Sequence, residues 1–60
     1  MFTIDKGGNT VMVWGFANAV ANARQFVEYC QNEIVHIYDG DDKDVATVYW
    51  CDDADGAVVI

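Results

Sequence analysis

Sixty residues carrying ten carboxylates, three basic side chains and a net charge of −7 describe one small domain, because a chain this short buries only about 60% of its unfolded surface and cannot support two cores. More than half of the residues are apolar, Trp14, Trp50 and six other aromatics among them. This excludes a disordered chain, and the negative charge argues against direct contact with nucleic acid or an anionic membrane.

Leu, Ser and Pro are absent, so the core must come from Val, Ile, Ala and aromatics, and the turns from Gly, Asn and Asp, a composition that favours strands. Phe2 to Asp5 and Thr10 to Trp14 are two short β-prone runs. They are separated by Lys6-Gly7-Gly8-Asn9, whose glycines can take the positive φ of a tight hairpin. After Gly15 the apolar period changes from two to near 3.6, with Phe16, Ala19, Val20, Ala23, Phe26, Val27 and Cys30 on one stripe. A helix over 17–32 follows, with Asn18 as its N-cap, and with Asn22, Gln25, Glu28 and Asn32 on the polar face. Arg24 precedes Glu28 by four residues, the spacing of a weak surface pair.

Strand patterning returns at Glu33 to Tyr38 and Val45 to Cys51, joined by a turn over Asp39-Gly40-Asp41-Asp42-Lys43-Asp44. Asp52-Asp53-Ala54-Asp55-Gly56 is a second turn leading into Ala57-Val58-Val59-Ile60, an optional fifth strand. The expectation is an α+β fold of order ββαββ, with one amphipathic helix on one face of a four- or five-stranded antiparallel sheet. One helix covers one face, so the other is either solvated or used for association.

Asp39, Asp41, Asp42 and Asp44 fall in one turn, and Asp52, Asp53 and Asp55 in the next. The intervening strand sets the clusters on the order of 20 Å apart at opposite ends of the sheet. Two such poles can imitate part of a phosphate backbone and occupy a Lys/Arg groove, with attraction that weakens as salt rises. The plainer reading is that aspartates make good turns and keep a hydrophobic 60-mer soluble. Calcium fits the spacing poorly: counted as an EF-hand from Asp39, Lys43 takes a ligand place and Asp44 the place of the required glycine.

If Val35 and Ile37 point to the helix, then Ile34, His36 and Tyr38 point away; if Val48 and Trp50 point in, then Thr47, Tyr49 and Cys51 join the outer face. Either Met12 and Trp14 or Val11 and Val13 complete it. Aromatic rings on an uncovered sheet suit a protein interface, of which a homodimer is the simplest version, or else they merely shield a thin sheet. In-register pairing would set His36 beside Cys51 as a Cys-His pair, but an acidic surrounding does not activate a thiolate. Cys30 on the helix stripe reads as a small buried hydrophobe.

No nucleotide, metalloprotease or nucleophile-elbow motif is present, there is no serine, and a body this small lacks depth for the usual ligand pocket. Catalysis, a cofactor and a structural zinc site are therefore not expected. No apolar run approaches the roughly 20 residues of a bilayer span, and MFTIDKGG lacks the regions of a signal peptide. The expected location is the cytoplasm, with Cys30 and Cys51 as reduced thiols.

In size, charge and ββαββ order, though not in particular residues, the chain resembles the compact acidic proteins that bacteriophages make to bind and inhibit host enzymes. The residues themselves carry the leading expectation, an inhibitor or modulator docking its acidic turns, Asp39, Asp41, Asp42, Asp44, Asp52, Asp53 and Asp55, together with His36, Tyr38 and Tyr49 of the sheet face, on the basic surface of a larger protein, with a nucleic-acid-handling enzyme as the expected target class. The alternative is an assembly module that self-associates through the open sheet face.

Overall fold

A computed structural model describes the whole chain, Met1–Ile60. The elements are β1 (Phe2–Lys6), β2 (Asn9–Val13), α1 (Phe16–Tyr29), β3 (Val35–Tyr38), β4 (Asp44–Cys51) and β5 (Gly56–Val59). All neighbouring strands are antiparallel, in the order β2-β1-β3-β4-β5. The fold is thus α+β, with one helix on a five-stranded sheet. The optional last strand is present, and Ile60 extends it by exchanging both backbone bonds with Thr47 at 2.8 and 2.9 Å.

The first hairpin closes through Gly7 and Gly8 at φ 61° and 99°. Two successive positive φ values define a turn whose twist matches that of the flanking strands, and glycine adopts them without steric cost. Gly15, also left-handed at φ 84°, then breaks the chain away from β2, and the helix starts at once with Ala19 N–H donating to Gly15 O at 3.0 Å. Gly15 is therefore the N-cap, not Asn18. Asn18 sits within the first turn, and its side-chain amide reaches back to Trp14 O at 3.1 Å.

The helix ends at Tyr29, three residues short of the expected Asn32. Cys30 leaves helical geometry at φ −123°, ψ 77°, and Glu33 N–H bonds to Cys30 O to close the reversal into β3. Fourteen residues at about 1.5 Å each give a helix of roughly 21 Å, already longer than β1 and β3 at about 13–17 Å, so the chain turns there to re-enter the sheet. Cys30 is consequently exposed at the helix end and not buried within the stripe. Phe16, also assigned to the stripe, is part-exposed and closes the helix start by an edge-on contact with Phe2, centroids 5.5 Å apart. Arg24 and Glu28 form no ion pair; the one close approach of a basic side chain to a carboxylate is that of His36 Nδ1 to Asp44 Oδ2.

The core is smaller and more aliphatic than composition suggests. Ile4, Val35, Ile37, Ala46 and Val48 of the sheet meet Ala19, Ala23 and Val27 of the helix, while Phe2, Phe26 and Trp50 pack around this cluster without being fully buried. Ala19 and Ala23 are four apart on one helix face and let the helix lie close to the sheet, so bulky rings are displaced to the margins. Strand parity follows the expected pattern, with Val35, Ile37, Val48 and Trp50 toward the helix and Met12, not Val11 or Val13, on the open face.

Candidate partner-binding site

The turn joining β3 to β4 is built around one aspartate. Asp39 Oδ1 accepts the backbone N–H groups of Asp41 at 2.8 Å and Lys43 at 3.0 Å, and Asp39 N–H donates to Lys43 O at 2.9 Å. Those N–H donors, Lys43 first and Asp41 second, hold the Asp39 carboxyl below its ordinary pKa, and the Lys43 charge adds to them. Asp42 takes the left-handed conformation at φ 62°, which Asp and Asn tolerate better than other side chains. With Asp39 turned inward, Asp41 and Asp42 present carboxylates that accept no hydrogen bond from the chain.

The turn joining β4 to β5 has the same division of labour. Trp50 Nε1 donates to Asp52 Oδ1 at 2.9 Å, Asp55 N–H bonds to Asp52 O at 3.1 Å, and Asp55 is left-handed at φ 50°. Asp53 and Asp55 keep unpaired carboxylates at the surface. Between the two turns runs β4, whose eight residues at roughly 3.3 Å each separate the turns by more than 20 Å. The seven aspartates therefore fall into three that hold structure, Asp39, Asp44 and Asp52, and four that project charge.

Asp44 owes its place to an irregularity. The pairing shifts between Ile37↔Ala46 and Tyr38↔Asp44, leaving Val45 as an extra residue on β4. Strict alternation from Val48 and Ala46 would aim Asp44 at the helix; the bulge turns it to the open face. There Asp44 Oδ2 lies 3.1 Å from His36 Nδ1, and Thr47 Oγ1 lies 3.2 Å from the same nitrogen. Tyr38 stands beside this group, its ring centroid 6.3 Å from that of His36, and Asp5 faces His36 from β1.

Of the residues expected in a site, the structure gathers His36, Tyr38 and Asp44 into one cluster. Tyr49 shares their face but lies further along β4, opposite Val58. Asp41 and Asp42 lie beyond one end of the sheet, and Asp53 and Asp55 beyond the other. His36 pairs with Thr47, four residues from Cys51, so the Cys-His pair does not form. The sequence places Thr47 on this face but gives it no role, and it does not mark Asp5; nothing in the pattern signals the bulge that assembles the cluster. The open face is mixed in character, since Thr3, Asp5, Thr10, His36, Asp44 and Thr47 interrupt its apolar side chains.

No three His, Cys, Asp or Glu side chains converge on a point that would hold a metal ion, and no helix is long and apolar enough to cross a membrane. Comparison with protein-family models, curated protein sequences and solved structures finds no significant match.

Proposed function

We propose that this protein is a non-enzymatic binding protein that docks its acidic turns on a basic surface of a larger protein, of the kind a nucleic-acid-handling enzyme uses to hold phosphates, and thereby inhibits or modulates it. The supporting observation is that both turns are pinned from within. Asp39 is bonded to two backbone amides and Asp52 to the Trp50 indole, so the free carboxylates of Asp41, Asp42, Asp53 and Asp55 are carried at set positions. Fixed charges lose less conformational freedom on docking than charges on a loose segment, and they steer encounter with an oppositely charged surface.

The test is capture from a cell lysate on immobilised protein at low and high salt, with DNA or heparin as competitor. Proteins retained at low salt, released at high salt and displaced by the polyanion are the expected outcome. Replacing Asp41, Asp42, Asp53 and Asp55 by Asn takes the net charge from −7 to −3 and should abolish retention; Asn accepts the left-handed conformation at Asp42 and Asp55. Capture indifferent to both salt and these replacements would refute the reading.

A further inference from the structure

Both edge strands, β2 and β5, are uncharged, but their surroundings differ: β5 follows the Asp52–Asp55 turn, whereas β2 lies in a neutral stretch. No charged residue occurs from Gly7 to Ala23, a stretch that includes the whole of edge strand β2 and the first half of the helix. The β3–β4 turn, the first residue of β4 and the β4–β5 turn instead carry all seven of these aspartates. Edge strand β2 is also the more exposed of the two: Val11 is 40%, Met12 66% and the following Trp14 72% accessible, and no strand lies outside it.

Its free hydrogen-bonding groups are fixed by the ladder. Thr47 exchanges both backbone bonds with Ile60, so Ala46 and Val48 bond to β3, His36 and Tyr38 bond to β1, and Ile4 and its alternates bond to β2. On β2 this leaves the N–H and C=O of Thr10 and Met12 pointing outward. The edge has none of the usual protections against pairing: no Lys, Pro or other charge, no bulge, and no covering loop.

We propose that β2 is a self-association edge, pairing antiparallel with β2 of a second copy about a twofold axis at Val11. In that register Thr10 of each copy lies opposite Met12 of the other, and the outward groups of both form four backbone hydrogen bonds across the axis. The result is a continuous ten-stranded sheet. The outward groups of Thr10 and Met12 are self-complementary about Val11, and the charge distribution favours this edge over the other surfaces on which two copies could meet. Two bodies of −7 meet along the uncharged strand with their acidic turns directed away from the axis, whereas stacking through the open face would bury Asp5 and Asp44 of both copies. The inference does not rest on the acidic-docking proposal, and the two carry opposite salt dependences: screening weakens capture of a basic partner but strengthens association of two like-charged copies.

Sedimentation equilibrium across protein concentration, at low and high salt, tests the proposal together with amide exchange. The expected results are a concentration-dependent species of twice 6.7 kDa, favoured by salt, with Thr10 and Met12 amides that become protected as it forms. Val11→Lys, which opposes two ammonium groups across the axis, and Thr10→Pro, which removes an outward donor and leaves the β1 ladder untouched, should each weaken it about tenfold or more. A monomer at every concentration and salt would overturn the proposal. So would a dimer in which the Thr10 and Met12 amides exchange as fast as in the monomer, or protection of those amides only when a different protein is added.

Discussion

The Trp50 indole donates to Asp52 Oδ1 at 2.9 Å, so a ring packed against the core directly holds the first residue of an acidic turn. Trp50→Phe keeps most of the apolar contact and deletes this bond. We expect a loss of about 0.5–1.5 kcal/mol in urea unfolding and faster exchange of the Asp55 amide, which bonds to Asp52 O. Unchanged exchange at Asp55 would show that the turn does not depend on the indole.

Asp39 predicts an acid limb in the stability profile. Its folded-state pKa is lowered, chiefly by the Lys43 and then the Asp41 backbone N–H, so the folded state binds the proton less readily than the unfolded state. The stabilisation is fully present above the unfolded pKa and disappears as pH falls through the folded one. Titration followed at the Asp41 and Lys43 amides should therefore show a midpoint below that of an ordinary aspartate. In Asp39→Asn the acid limb should flatten; a midpoint at or above the ordinary value would contradict the assignment.

The core is small enough that single methylenes matter. Ile4 and Ile37 are fully buried, and Ile→Ala at such a site costs about 2–5 kcal/mol. That is comparable with the whole stability of a domain this size, roughly 3–9 kcal/mol. Ile37→Val, at about 0.5–1.5 kcal/mol, should remain folded with a lower thermal midpoint, while Ile4→Ala should be largely unfolded at physiological temperature. Equal, small effects from both would mean that the helix does not pack as described.

The first hairpin turn should tolerate substitution unevenly. A Cβ at Gly7 would come within 2.8 Å of Glu33 Oε2, whereas nothing lies within 4 Å of one at Gly8. Gly7→Ala carries both the left-handed penalty of about 1–2 kcal/mol and the displacement of Glu33. Adding Glu33→Ala should recover the second part and not the first. A double variant as unstable as Gly7→Ala alone would locate the whole cost in the backbone.

The legible parts of the fold were those where one local rule decided the outcome. Gly7-Gly8 announced the hairpin, the change of period at Gly15 the helix, and the alternation around Ile37 and Val48 the buried face. What stayed hidden depended on contacts distant in sequence. Cys30 continues the helical period, yet the helix stops before it because the chain must reverse into β3 at the end of the sheet. Asp44 reads as a turn residue, yet a bulge on β4 carries it beside His36. The aspartates look equivalent in the sequence; only the bonds to backbone amides, to Trp50 and to His36 separate those that hold structure from those that project charge.

That separation gives the acidic-docking account its most direct test, a comparison of two variants of equal net charge in salt-dependent capture. Asp41→Asn with Asp42→Asn, and Glu28→Gln with Glu33→Gln, each change the charge from −7 to −5. If fixed turn carboxylates do the docking, the first pair loses the captured protein and the second retains it. Equal loss from both would mean that overall charge alone attracts the partner, and the presented turns would have no special role.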